Sequence, residues 1–249
     1  MDVSIVSLGP GNPELVTLGA WRALRAADVV FCPATRTPAG GWLSRAGEVL
    51  AAVGIPPQRV CPFELPMSAD RRRAAEAYAA VADAVAARSR TELVAVAAEG
   101  DADIYSSVHY VGDLLLERGV AVHYEAGIPA LIAAGALAGL HLVSGDESLL
   151  LLPRLTRAEE LLEPLAAGRT VAVMKLSRSA DALRDALRAQ PAASWHYFEN
   201  VGTPGERHLT SAADILRCDF PYFSLLVVRP AGGCQFKIGR EGAQPMESK

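Results

Sequence analysis

The chain has 249 residues, of which 51% are hydrophobic and 21% are charged, a composition that suits a globular protein with a large core. Its formal net charge of -4 provides no positive field for nucleic acid, so we do not expect a nucleic-acid partner. The cysteines are widely spaced and form no C-x-x-C pair, which argues against a zinc or redox site and favours reduced thiols in a cytoplasmic protein: Cys32, Cys61, Cys218 and Cys234.

In chain order, short apolar segments alternate with amphipathic or alanine-rich segments. The apolar segments predict strands at residues 3–8, 27–32, 93–97, 120–124, 149–152, 170–174, 194–199 and 222–228. The intervening segments predict a helix capped by Thr17, a helix that follows Asp101 and ends near 118, and helices at 41–53, 69–88, 130–138, 157–165 and 180–189. This alternation is typical of a parallel α/β sheet.

A hinge near residues 119–127 divides the chain into halves of similar size. We therefore expect an N-terminal α/β domain at 1–122, a C-terminal α/β domain at 123–230, and a tail at 231–249 that does not fold. Residues 126–145 contain no Asp, Glu, Lys or Arg and are long enough to cross a bilayer. Pro129 and several glycines there favour a loop and a helix buried in protein, so no membrane association is expected.

Two loops follow predicted strands, where α/β proteins bind ligands. Gly9-Pro10-Gly11 follows the first strand, and Glu99-Gly100-Asp101 follows the strand at 93–97. Each also has a simpler interpretation, the first as a tight turn and the second as a helix N-cap in which Asp101 accepts backbone N–H groups. The first loop lacks the third glycine of a dinucleotide-binding motif and the Gly-Lys-Ser/Thr of a P-loop, which disfavours a Rossmann oxidoreductase.

Taken in series, these segments resemble the tetrapyrrole methylase family. The stretch from Gly9 to Leu18 resembles the family's GPGDPELLTLKA opening, and Glu99 to Ser106 resembles its EGDP…Y(G/S)S segment. Asn12 replaces the usual Asp of the opening, and Ala102 replaces the Pro that follows EGD. The similarity runs from about residue 3 to 229 and includes further matching segments at Gly127-Ile128-Pro129-Ala130, Gly145-Asp146-Glu147, Met174-Lys175 and Glu199-Asn200-Val201-Gly202-Thr203.

The resemblance implies two α/β domains with S-adenosylmethionine bound in the cleft between them, and a homodimer. Segments at Gly145, Met174 and Tyr222 look most like the branch that methylates the C-20 meso carbon of precorrin-2 in cobalamin biosynthesis. Both metal-free precorrin-2 and its cobalt-containing counterpart stay open as substrates. The residues that match the family's donor-binding positions are Pro10, Glu99, Gly100, Asp101, Ile104, Pro129, Ala130, Met174 and Gly202.

A tetrapyrrole substrate carries many carboxylates, which calls for cations. Arg36 and Lys175 are the better candidates because both lie just past predicted strand ends, and Tyr105 is a candidate contact to the macrocycle. A sulfonium methyl is already activated, so no essential nucleophile is expected, and the sequence identifies neither a base nor a metal site. Two alternatives stay open: another methylase branch, acting on a different ring position, diphthine or ribosomal RNA, and a non-catalytic tetrapyrrole- or nucleotide-binding protein.

Overall fold

The computed structural model of the chain describes residues 1–64 and 71–231. The first half contains seven strands in the described ranges: β1 (Val3–Ser7), β2 (Val29–Pro33), β3 (Thr35–Arg36), β4 (Trp42–Leu43), β5 (Val60–Phe63), β6 (Val94–Ala98) and β7 (Val122–Glu125). Five of them form a parallel sheet in the order β5-β2-β6-β1-β7, while β3 and β4 form a small antiparallel hairpin.

Helices cover both faces of this first sheet. On one face, α1 (Leu18–Ala26) and α2 (Arg45–Ala52) pack against alternate strand residues such as Val6. On the opposite face, α3 (Arg71–Arg88) and α4 (Val108–Glu117) pack against the intervening strand residues, such as Ile5. Because both faces are buried, the strands are continuous apolar runs instead of alternating ones.

The second half forms a mixed sheet with the order β11-β10-β12-β9-β8. Its strands are β8 (Leu149–Leu152), β9 (Thr170–Met174), β10 (Ser194–Glu199), β11 (Arg207–Leu209) and β12 (Ser224–Arg229). One face is covered by α5 (Ala130–Ala138), and the other by α6 (Glu159–Ala166), α7 (Ala180–Ala189) and α8 (Ala212–Ile215).

Most predicted elements are confirmed, and α5, α7, β8, β9 and β10 have the predicted bounds. In the second sheet the expectation of parallel pairing is confirmed for β8 and β9 but wrong for the other pairs, since β12 lies antiparallel between β9 and β10 and β11 is antiparallel to β10. An apolar run shows that a strand is buried but does not show its direction. The predicted helix after Asp101 begins only at Val108.

The first sheet extends beyond residue 122, because β7 pairs with β1 as far as Glu125. The uncharged stretch at 126–145 contains α5, and no helix in the described part of the chain is long and apolar enough to cross a membrane. Cys32, Cys61 and Cys218 are free. Cys234 and the predicted tail after residue 231 lie outside the described residues.

Candidate active site

The first sheet has a topological switch point at its carboxyl edge, between β1 and β6. The helix that follows β1 packs on one face of the sheet, and the helix that follows β6 packs on the other. Adjacent strands whose helices diverge in this way leave a ligand-binding crevice at their carboxyl ends. Gly9 and Gly100 are paired there by two backbone hydrogen bonds, of 3.0 Å from Gly9 N to Gly100 O and 2.8 Å in return. The two predicted ligand loops are therefore neighbours.

Glycines allow two further segments to approach these loops. A Cβ atom on Gly127 would lie 2.5 Å from Ser7 Cβ and 2.9 Å from the carbonyl oxygen of Gly100. A Cβ atom on Gly202 would lie 2.9 Å from the backbone nitrogen of Asn12. Such distances exclude any side chain, so glycine is required for the contact. The loop after β10 in the second sheet thus touches the loop after β1 in the first.

Asp101 organises the turn after β6. Its Oδ1 accepts a hydrogen bond of 3.0 Å from the backbone N–H of Asp103, and its Oδ2 accepts one of 2.8 Å from the backbone N–H of Gly127. The interpretation of Asp101 as a helix N-cap is wrong, because α4 begins six residues after the turn residue Ala102, at Val108. Asp101 instead fixes the connection between the two halves at the edge of the crevice.

Tyr105 and Lys175 lie together although they are far apart in the chain. The Lys175 ammonium donates a hydrogen bond of 2.6 Å to the carbonyl oxygen of Tyr105, and the Tyr105 hydroxyl donates one of 2.9 Å to the carbonyl oxygen of Leu151. Both residues have left-handed backbones, with φ of 51° at Tyr105 and 55° at Lys175. Such backbones cost about 1–3 kcal/mol each and persist at sites that the surroundings fix.

Arg36 is exposed on the β3–β4 hairpin, where its guanidinium lies 3.8 Å from the centroid of the Trp42 ring. The hairpin follows β2, the neighbour of β6, so it stands at the same edge of the first sheet as the crevice. The stack holds the guanidinium in one orientation while its edge stays accessible to a carboxylate. This candidate therefore lies beside the crevice and not inside it.

The nine predicted donor-binding residues are all half-buried. Pro10, Gly100, Asp101 and Gly202 make or adjoin the contacts described above. The others lie at or near element ends: Glu99 directly after β6, Ile104 in the turn that follows, Pro129 and Ala130 at the start of α5, and Met174 at the end of β9. In the described ranges, no group of three His, Cys, Asp or Glu side chains is placed to hold a metal ion.

Glu99 follows β6 and lies near an arginine that the sequence did not suggest as a site residue. Burial raises the pKa of the Glu99 carboxyl, while the Arg45 guanidinium and the backbone N–H of Ala46 oppose that rise. Arg45 donates a hydrogen bond to Asn200 Oδ1 and lies 3.7 Å from the centroid of the Phe223 ring. Arg45 carries no motif, and its partners belong to the second half, so only the fold reveals its position.

Known proteins share this architecture. The chain matches the family model Tetrapyrrole (Corrin/Porphyrin) Methylases over residues 2–216. A precorrin-2 C(20)-methyltransferase from Sinorhizobium sp is 33% identical over 234 residues, which cover 90% of this chain and 93% of that protein. The cobalamin biosynthesis protein CobIJ from Mycobacterium bovis is 35% identical over 244 residues, and the match spans 91% of this chain but 45% of CobIJ.

The fold likeness extends to solved structures. A uroporphyrin-III C-methyltransferase from Thermus thermophilus, solved in complex with S-adenosylhomocysteine, has a TM-score of 0.64 and 22% identity, and the match covers 92% of each chain. The family match covers most of the chain, and two relatives exceed 30% identity over at least 90% of it. The chain therefore belongs to the tetrapyrrole methylase family and is an S-adenosylmethionine-dependent methyltransferase.

Proposed function

We propose that this protein transfers the methyl group of S-adenosylmethionine to the C-20 meso carbon of precorrin-2, or of its cobalt-containing counterpart, in cobalamin biosynthesis. The observation that carries the proposal is the similarity to the Sinorhizobium precorrin-2 C(20)-methyltransferase, which extends over nearly the full length of both chains. Methylation of another ring position is the alternative within the family. It is supported by a more distant likeness, at 22% identity, to an enzyme named for a different tetrapyrrole.

The proposed donor site is the crevice beside Gly9 and Gly100, closed by the loop that contains Gly202. Glycines 127 and 202 leave room for backbone but not for side chains, so this edge offers a cradle of main-chain groups. The Asp101 carboxylate already accepts two backbone N–H groups and has lone pairs left for a donor hydroxyl or ammonium. These features fit a small polar ligand without requiring a metal ion.

The proposed chemistry is a direct transfer that the protein promotes by alignment. The donor supplies a methyl group on a cationic sulfur, which needs no further activation. Holding the two reactants in line and away from water is worth roughly 7–11 kcal/mol, so the half-buried residues that line the crevice act by position and not as nucleophiles. A lining of apolar and main-chain groups also favours a transition state in which the sulfur loses its charge.

For the substrate, the proposal assigns carboxylate contacts to Arg36 and Lys175 and a macrocycle contact to Tyr105. The Lys175 ammonium gives one of its three N–H groups to the Tyr105 carbonyl and keeps two for a substrate carboxylate. The Arg36 guanidinium is oriented by Trp42 at the edge of the same crevice. In this proposal both cations contact acidic side chains on the rim of a ring that is seated over the donor.

The proposal includes a homodimer of two-domain subunits in the cytoplasm. Because β7 belongs to the first sheet, the proposed domain boundary moves from 122 to the segment between β7 and α5. Helix α5 has no charged residue, and its outer side chains Ile132 and Leu137 are 48% and 42% exposed. A helix that is apolar all round is usually covered on both sides. Sedimentation velocity of an Ile132→Glu variant should show monomer where the original chain shows dimer.

The test is an anaerobic incubation of the purified protein with labelled S-adenosylmethionine and, in parallel, precorrin-2 or cobalt sirohydrochlorin. Gain of one methyl group, assigned to carbon 20 by NMR, supports the proposed reaction, and the faster substrate identifies the metal state. Methylation at another carbon would establish the alternative within the family. Donor binding without methylation of either ring would overturn the substrate assignment and support the non-catalytic alternative.

A further inference from the structure

Arg45 makes a contact that joins the two halves across the crevice. It is the first residue of α2 in the first half, yet its guanidinium donates to Asn200 Oδ1 and lies over Phe223, at 3.7 Å from the ring centroid. Asn200 follows β10 and Phe223 precedes β12, and the backbone N–H of Asn200 donates to the carbonyl oxygen of Phe223 at 2.9 Å. One side chain thus holds two adjacent segments of the second half.

The segment that Arg45 holds has an unfavourable backbone. Asn200 has a left-handed backbone with φ of 50°, which L-residues adopt at a cost in free energy. Its carbonyl oxygen accepts hydrogen bonds from Thr203, of 3.0 Å from the backbone nitrogen and 2.8 Å from the hydroxyl. This turn sets Gly202 against the backbone nitrogen of Asn12. Fixing the Asn200 side chain therefore fixes the wall that the second half contributes to the crevice.

Arg45 also acts on Glu99 at the floor of the crevice. Burial raises the pKa of this carboxyl, and attraction to the guanidinium opposes that rise by favouring the charged form. The other ionisable groups that face Glu99 are Glu48 of α2, which raises its pKa, and the buried thiol of Cys32 in β2. Arg45 is thus the cation that favours a carboxylate at a position where the donor is proposed to bind.

We propose that Arg45 is a positioning residue for the methyl donor: it holds the 200–203 loop against the Pro10–Asn12 loop, so that the pocket is formed before the donor binds. This inference rests on the proposed donor site. It assigns no contact between Arg45 and the reacting atoms. A pocket formed in advance spares the donor the loss of conformational freedom in the loop, which raises affinity.

The test measures the dissociation constant of S-adenosylhomocysteine for the full chain by calorimetry. Arg45→Ala should weaken binding about tenfold, as expected for the loss of one hydrogen bond from a charged group. Arg45→Lys should recover part of the affinity, since it keeps the charge but lacks the planar guanidinium. Asn200→Gly, which accepts the left-handed backbone, should weaken binding about as much as Arg45→Ala. The loss of affinity in the double variant should be smaller than the product of the two single losses.

Arg25→Ala is the matched control, because Arg25 also sits on a helix and stacks on an aromatic ring, Trp21, at 5.1 Å, but lies away from the crevice. It should leave the affinity unchanged. The inference would be overturned if the dissociation constant of S-adenosylhomocysteine for Arg45→Ala lay within about twofold of the original value. A tenfold change corresponds to about 1.4 kcal/mol. Asp101→Ala separates the two proposals: if it too leaves the affinity unchanged, the donor site itself is misplaced, whereas a loss confined to Asp101→Ala rejects the role of Arg45 alone.

A pH series distinguishes positioning from a merely structural contact. In Arg45→Ala the pKa of Glu99 should rise, so the loss of donor affinity on acidification should begin at a higher pH than in the original chain. Adding Glu99→Gln should remove this shift of the affinity loss to higher pH. Should Arg45→Ala fail to fold by circular dichroism, Arg45→Gln, which also removes the charge, carries the same comparison. An acid limb that is identical with and without the Arg45 charge would show that Arg45 does not act on Glu99.

Discussion

Gly127 lies where the segment after β7 meets the ends of β1 and β6. Its backbone N–H donates to Asp101, and there is no space for a side chain between Ser7 and the carbonyl oxygen of Gly100. Gly127→Ala should therefore displace the segment, lower the free energy of unfolding by about 1–3 kcal/mol and weaken S-adenosylhomocysteine binding. Chemical denaturation and calorimetry measure the two effects.

Gly205→Ala is the control for this substitution. A Cβ atom there would lie 3.8 Å from the Thr203 hydroxyl oxygen, which is an ordinary contact, so the free energy of unfolding should change by less than about 0.5 kcal/mol. An equal loss of stability in both variants would show that the added methyl group at Gly127 meets no obstruction.

The loops of the site could be placed from sequence because each directly follows a buried strand, which locates it at the carboxyl edge. That reasoning located each loop at the end of a strand, and the structure shows that Gly9 and Gly100 are paired there. It could not identify Arg45, whose partner Asn200 is 155 positions away. Glu147, unlike Arg45, lies in a segment that resembles the family. In the structure it forms an ion pair with the buried Arg229, at 2.8 Å.

At the scale of the elements, α1 begins at a cap that also contacts the junction between the halves. The Thr17 hydroxyl oxygen accepts a hydrogen bond of 3.2 Å from the backbone N–H of Ala20, and the hydroxyl donates one of 3.0 Å to the carbonyl oxygen of Ala126. Thr17→Ala should lower the free energy of unfolding by about 1–2 kcal/mol, as measured in urea. Thr17→Ser keeps the hydroxyl and should lose much less stability than Thr17→Ala. Equal losses of stability in the two variants would mean that the hydroxyl cap contributes nothing.

Strands β10 and β11 carry a histidine pair that should make stability depend on pH. His196 Nδ1 lies 3.2 Å from His208 Nε2, and burial lowers the pKa of both rings below the ordinary 6.5, with repulsion from His208 and Arg229 adding to the effect at His196. The unfolded chain therefore binds more protons than the folded chain once the pH falls below about 6.5. The free energy of unfolding should be flat above that pH and fall below it.

Urea denaturation at several pH values between about 7.5 and 5 tests this dependence against His196→Asn. Protonation of His196 is opposed by burial, His208 and Arg229, and the variant removes this ring. The free energy of unfolding of the variant should therefore fall less steeply on acidification. The comparison cancels the contribution of carboxyl groups that are common to both chains. Parallel pH curves for the two chains would contradict a contribution from His196.

Periodicity located most elements but said little about short or irregular ones. Strand β5 was not predicted because Pro62 interrupts it; the strand lies at the edge of its sheet, where proline is tolerated. The β3–β4 hairpin, β11 and α8 have too few residues to show a period. In α1, Leu18, Trp21 and Leu24 have the spacing of one helical face, yet Leu18 is 70% exposed and only Ala20 and Leu24 are buried.

At the scale of the whole molecule, few polar contacts connect the two sheets within residues 1–64 and 71–231. They include the Tyr105–Leu151, Lys175–Tyr105 and Arg45–Asn200 hydrogen bonds and the contact of Gly202 with the Pro10–Asn12 loop. Each sheet has its own hydrophobic clusters, which lie on its two faces. A ligand bound between the sheets would therefore add substantially to the interactions that hold the two sheets together.

This arrangement predicts that the donor product stabilises the second half as well as the first. The chain has three tryptophans; Trp195 is buried in the second half, and Trp21 and Trp42 lie in the first. In a Trp21→Phe/Trp42→Phe background, fluorescence reports Trp195 alone. S-adenosylhomocysteine at about 100 times its dissociation constant should raise the free energy of unfolding seen by Trp195 by about 2.7 kcal/mol. Adding Asp101→Ala should abolish the increase, and a Trp195 transition that does not move while calorimetry shows binding would confine the ligand to the first half.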